Sequence, residues 1–198
     1  MFPGIQGQAP YKSLDPPNPT NIYGKTKADG EEAVLKHPRT VVLRVPVLYG
    51  PTEPEDNNKE SAVNILMDVV YKSQKEPVKV DDWAIRYPTN VEDVARVCVD
   101  IAKYYTAAAE GKELPRILQF SSEDAMTKYD ICEKFAEIMA LPMDGIVADK
   151  DGGKPSPDGT LRPYDCHLDT GELKTLGIDV ATVDFVAWWR RKVRAFRH

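Results

Sequence analysis

Apolar and polar positions alternate with two periods along this chain. Residues 61–74 place Val63, Leu66, Met67 and Val70 at helical spacing, and residues 128–141 do the same with Ile131, Phe135 and Ile138. A helix through Val97, Ile101 and Tyr104 is expected to open after Thr89 or Asn90, with Glu92 and Asp93 in its first turn, where carboxylates suit the helix dipole. Thr127 is the expected N-cap of the 128–141 helix. A further helix is expected from residue 20 or 21 to residue 36, stopped by His37-Pro38. Residues 40–47 are almost wholly apolar and β-branched, the pattern of a strand central in a parallel sheet, broken only by Arg44. Shorter strands are expected at 78–80, 85–87 and 116–120, and a short helix at 171–176. Residues 1–20, 51–60 and 149–159 are rich in Gly, Pro or acids and are expected to be loops, the last of them mobile. Strands alternating with helices make this an α/β chain.

Composition narrows the class. With 198 residues, 42% apolar and 29% charged, the chain has enough apolar material for a globular core. No apolar run reaches the roughly 20 residues that span a bilayer, and residues 1–7 lack the basic and apolar regions of a signal peptide. Cys98, Cys132 and Cys166 are odd in number and have no metal-ligand spacing, which fits a reduced, cytoplasmic setting and no metal site. The net charge is −5, yet the last nine residues carry five Lys or Arg and no acid. An acidic body with a basic tail argues against nucleic-acid binding and for a tail that meets an acidic surface.

The chemistry-bearing stretch is Asn21-Ile22-Tyr23-Gly24-Lys25-Thr26-Lys27. Tyr23 and Lys27 are four residues apart, on one face of the expected helix. An ammonium beside a phenol favours the phenolate, lowering a pKa of about 10, and a tyrosine tuned in this way can give a proton to a developing alkoxide. The same spacing also occurs on solvated helix faces. Arg44 has two readings: an arginine paired to a carboxylate, or a cofactor contact at the C-terminal end of a strand.

This stretch, followed by Leu43-Arg44-x-Pro46-x-Leu48-Tyr49-Gly50, resembles the extended short-chain dehydrogenase/reductase superfamily. Pro88-x-x-Val91-x-Asp93-Val94-Ala95 resembles a second segment of that superfamily. Met126-Thr127-Lys128-Tyr129 and the segment Arg162-Pro163 to Leu168-Asp169 resemble its dTDP-4-dehydrorhamnose reductase (RmlD-like) branch, in particular the methionine adenosyltransferase beta subunits. The resemblance implies the C-terminal portion of a Rossmann-like NAD(P)-binding fold with a small substrate-binding lobe, the whole of residues 1–198 forming one such domain with a tail at 183–198. It implies Tyr23 as acid with Lys27 as its partner, vestigial in a regulatory subunit; Tyr23, Lys27 and Arg44 as cofactor contacts; and Arg162 as a phosphate or carboxylate contact. Asp165 and Cys166 depart from the branch's usual Asn and Ser, and an acid there disfavours a sugar diphosphate.

No G-x-x-G-x-x-G or G-x-G-x-x-G occurs in the sequence, so the turn that seats a pyrophosphate on a helix N-terminus is not among these residues. The expectation is a fold that takes NADP when complete, its N-terminal dinucleotide-binding half missing here, and no cofactor held by this chain alone. Trp188, Trp189, Arg190, Phe196 and His198 are read either as a helix packed on the body or as anchors for the methionine adenosyltransferase catalytic subunit, the partner the resemblance implies. Three functions remain open: a non-catalytic regulatory subunit in S-adenosylmethionine biosynthesis and one-carbon metabolism, an NADP-dependent sugar-nucleotide reductase, and a remnant without activity of its own.

Overall fold

In the computed structural model, residues 1–52, 58–109, 111–155 and 159–193 are described. They fall into two compact units, each assembled from three separate stretches of chain. The first holds Met1–Pro46, Glu92–Ser121 and Gly153–Ala181; the second holds Val47–Val91, Ser122–Gly152 and Thr182–His198.

The first unit is built on helix α1 (Ile22–Leu35) and strand β1 (Val42–Arg44). Asn21 caps α1: its backbone is extended and its Oδ1 accepts the Gly24 N–H at 2.9 Å. The helix ends just before His37-Pro38, as expected. The anticipated strand at 40–47 is shorter than its apolar run. Pro46 has no N–H to give a ladder, so the run divides into β1 and a separate two-residue strand, β2 (Leu48–Tyr49). The expected central position of this strand is also corrected. Among the described residues β1 has one neighbour, β5 (Ile117–Gln119), which runs parallel with Val42 opposite Ile117. Helix α3 (Val91–Ala107) and helix α5 (Gly171–Thr175) cover one face of this pair, burying Val97, Ile101, Leu118, Phe120, Leu173 and Ile178 together. The other face meets α1.

The second unit packs helix α2 (Ile65–Ser73), helix α4 (Lys128–Met139) and helix α6 (Phe185–Lys192) around Tyr49. The Tyr49 ring lies 4.9 Å from that of Phe185 and 5.4 Å from that of Trp188, both edge-on, the geometry aromatic quadrupoles favour. Thr127 caps α4 as expected, and Asp130 returns the favour to the Thr127 N–H, completing a capping box. Strand β3 (Val78–Asp81) pairs in parallel with β6 (Ile146–Asp149), a strand the sequence pattern did not announce. Gly145 lets it start: a Cβ there would lie 1.9 Å from the Ser73 carbonyl oxygen.

Two further expectations change here. Residues 85–87 form no strand; Arg86 makes one antiparallel bridge, to Met126, with Pro88 close behind. Thr89 does not cap α3; with Asn90, the residue directly before the helix, it forms β4 (Thr89–Asn90), parallel to β2. The Thr89 hydroxyl donates to the Tyr87 carbonyl at 3.0 Å and accepts the Ser122 N–H at 2.9 Å, so it is committed elsewhere.

Candidate functional site

Helix α1 places Tyr23 and Lys27 side by side. The Lys27 ammonium lies 5.5 Å from the centroid of the Tyr23 ring, and Tyr23 is 70% exposed. The stripe of α1 that faces the body is a different one: Gly24 and Glu31 are its buried residues. The pair therefore stands on an open surface of the first unit.

The loop carrying Arg162 is tied to the start of the same helix. The Leu161 carbonyl accepts from the Asn21 amide at 3.1 Å and from the Thr20 hydroxyl at 3.3 Å. Gly4, with φ +63°, accepts the Tyr164 N–H at 2.9 Å, and a Cβ on it would lie 2.3 Å from Pro163 Cβ. Tyr11 joins the segment beyond, donating its N–H to the His167 carbonyl and accepting from the Asp169 N–H, both at 2.8 Å. The exposed Arg162 is in this way carried by a loop pinned to the end of α1 that bears Tyr23.

Arg44 is placed differently from a ligand contact. Its Nε and Nη2 reach the two oxygens of Glu31 at 2.9 and 2.5 Å, and its Nη1 donates to the Ser13 carbonyl at 3.0 Å. Both side chains are almost wholly buried. Of the two roles open to Arg44, the structure supplies the carboxylate, and the fork is used inside the unit. The network reaches further than the sequence reading did. The Gln119 amide donates to the Tyr11 and Asp169 carbonyls at 2.9 and 3.0 Å and accepts from Arg44 at 3.3 Å, while the Ser13 hydroxyl donates to Glu172. Glu31 lies seven residues after Gly24 on the same helical stripe, but the sequence offers it as only one of several acids on α1.

The expected tail divides in two. Trp188 and Trp189 are 6% and 2% exposed and belong to the core of the second unit, against Tyr49, Phe135 and Phe185. This corrects their reading as surface anchors: α6 turns its indoles inward because its apolar positions 185, 188 and 189 share one face. Arg190 pairs with Glu137 of α4 at 2.6 Å, and Arg191 and Lys192 are exposed. Phe196 and His198 lie outside the described residues.

Among the described residues no group of three His, Cys, Asp or Glu is placed to hold a metal ion, and no helix is long and apolar enough to cross a membrane. A shallow groove of about 480 Å³ lies between α3 and the turn after α5, lined by Asp100, Lys103, Tyr104, Leu176, Ile178 and Asp179, none of them a candidate site residue.

Residues 1–196 match the family model described as the RmlD substrate binding domain. The chain is similar to methionine adenosyltransferase 2 subunit beta of Danio rerio, 35% identical over 190 residues, covering 96% of this chain and 56% of that protein. To the Bos taurus protein of the same name it is 39% identical over 178 residues, covering 87% of this chain and 49% of the other. The chain thus spans about half the length of these curated relatives. Among solved structures, a dTDP-4-dehydrorhamnose reductase from Clostridium acetobutylicum superposes with a TM-score of 0.74 at 19% identity, covering 98% of this chain and 61% of that one. The reductase from Bacillus anthracis in complex with NADP gives 0.70 at 20% identity, over 98% and 63%. Likeness at these identities speaks for the fold.

Proposed function

The chain belongs to the RmlD substrate-binding domain family, and we propose that within it this chain serves as a non-catalytic regulatory beta subunit of methionine adenosyltransferase. In this reading it binds the catalytic subunit in the cytoplasm and supports S-adenosylmethionine biosynthesis. The observation that carries the reading is the identity of 35–39% to beta subunits over most of the chain, against 19–20% to the reductases that share its fold. Asp165, an acid where the reductase branch usually has Asn, adds support, because it would repel a diphosphate.

NADP fits these residues poorly by themselves. The sequence has no glycine-rich turn for a pyrophosphate, and Arg44 is committed to Glu31. The regulatory reading needs no reaction at Tyr23. A second reading, an NADP-dependent reductase acting on a sugar nucleotide, draws on the placement of Lys27 over the Tyr23 ring. There Tyr23 would supply the proton, with Lys27 beside it as its partner.

The test is a pull-down with the methionine adenosyltransferase catalytic subunit, using the full chain and a chain ending at Val193. That end point leaves α6 and its two buried tryptophans whole, so lost binding reports on residues 194–198 rather than on unfolding. Capture by the full chain that falls at least tenfold in the shorter one supports docking through the tail. No capture by either chain sinks the regulatory reading, and turnover of a dTDP-4-keto sugar with NADPH that is lost in Tyr23→Phe would install the second.

A further inference from the structure

Helix α3 is apolar on two of its faces. Val94, Val97, Ile101 and Tyr105 turn to the β1·β5 pair and join the apolar cluster there. A second stripe runs about a quarter turn round the helix. At about 100° per residue, Val91, Ala95, Cys98, Val99, Ala102 and Thr106 all fall within about 50° of one line. All six are exposed, Val99 at 51%. The solvent side of a surface helix is ordinarily charged or polar. Here Thr106 bends its hydroxyl onto the Ala102 and Lys103 carbonyls, at 2.8 and 3.1 Å, which leaves its methyl for the stripe.

The charges beside this stripe complement themselves. Glu92 and Lys103 lie on one flank of it, near its two ends, and both are exposed. Lys103 reaches Asp100 of its own helix only at 3.9 Å, with its side chain 75% exposed. A twofold axis crossing the helix between Cys98 and Val99 sets a second α3 antiparallel to the first, like flank beside like flank. Ala95 then stands opposite Ala102 of the second copy, and two small residues there let the helices approach closely. Glu92 comes level with Lys103 of the second copy to within about 3 Å along the helix, and the pairing occurs twice. Cys98, on the other flank, comes level with Cys98 of the second copy. A parallel pair would set Glu92 against Glu92 and Lys103 against Lys103.

We propose that α3 is the contact helix of a weak homodimer, packed antiparallel on α3 of a second copy about this axis. One helix carries both halves of the ion pair in the register the axis needs, which favours a second copy over a foreign chain. Size sets the strength. Helix α3 has 17 residues and is about 25 Å long, and a single helix pair of that length buries less than the roughly 1,200 Å² of a small stable interface. The dimer therefore forms at micromolar to millimolar concentration.

The test is sedimentation equilibrium of the full chain across that concentration range, for the wild type, Val99→Glu, Glu92→Lys, Lys103→Glu and the double exchange Glu92→Lys with Lys103→Glu. The wild type is expected to dimerise and Val99→Glu to stay monomeric. Each single charge variant is expected to raise the dissociation constant at least about tenfold, and the double exchange to restore it. These positions are exposed, so melting temperatures are expected to stay near the wild-type value. A short bis-maleimide, applied to Cys166→Ser so that Cys98 is the accessible thiol beside the buried Cys132, is expected to join two chains. A wild type that is monomeric throughout overturns the proposal, and exchange protection of α3 by the methionine adenosyltransferase catalytic subunit would then assign the face to that partner. Dimers that ignore a folded Val99→Glu, that the double exchange does not restore, or that the bis-maleimide does not join through Cys98 also overturn it. If Val99→Glu does not fold, the charge exchange decides.

Discussion

Glu31 and Arg44 are nearly excluded from water, and each leaves the other uncompensated if removed. Breaking one partner of such a pair costs about 3–5 kcal/mol, mostly the penalty of the stranded charge. Glu31→Gln is therefore expected to lower the urea midpoint sharply, whereas Tyr23→Phe on the exposed face is expected to leave it within error. Cys132 offers a second test at this scale. It is fully buried, and burial pushes its thiol from 9.0 up to about 12. The unfolded chain releases that proton first. The thiol's contribution to stability is intact below pH 9 and declines as pH rises toward 12, at about 1.4 kcal/mol per pH unit. Cys132→Val is expected to flatten that alkaline decline in urea titrations at pH 8 and 10.5. The Tyr23–Lys27 adjacency was readable because four residues make one helical turn. The Arg44 partner was not, because Glu31 is one of several acids on α1 and nothing local marks it as buried.

At the scale of elements, two glycines make opposite predictions. Gly30 lies within α1, and a Cβ there would meet nothing within 4 Å. Gly30→Ala is expected to stabilise the chain by about 0.5–1 kcal/mol, through helix propensity and a less disordered unfolded state. Gly145→Ala drives a Cβ to 1.9 Å from the Ser73 carbonyl oxygen, a backbone atom that cannot swing aside, and is expected to lower the melting temperature by several degrees in a calorimetric scan. Helices with one apolar stripe, α2 and α4, were legible within a few residues, and so was the Thr127 cap. The strands were less so. Their ends depend on which neighbour supplies a ladder, as at Pro46, and β6 is a four-residue run whose partner lies more than sixty residues earlier.

At the scale of the whole molecule, α6 is structural before it is anything else. A chain ending at Phe185 loses Trp188 and Trp189 from the core of the second unit, and removing even one large aromatic from a core costs about 3–5 kcal/mol. Such a chain is expected to lose cooperative melting by circular dichroism, while one ending at Val193 keeps it. The α/β class and the family were legible from motifs spread along the chain, and the superposition with reductases bears out that fold. That the basic aromatic segment is half core and half surface was not legible, because a Trp-Trp pair followed by arginines has the same composition in either setting.

The alternation of the two units along the chain also orders their birth. A ribosome that has released residues 1–121 has delivered two of the three stretches of the first unit but only one of the second. The first unit waits for its α5 segment, and the second waits longer, for the two indoles of α6 that close its core. Until then Tyr49 and Phe135 have no aromatic cover, and the nascent chain depends on chaperones or on speed to keep them from strangers.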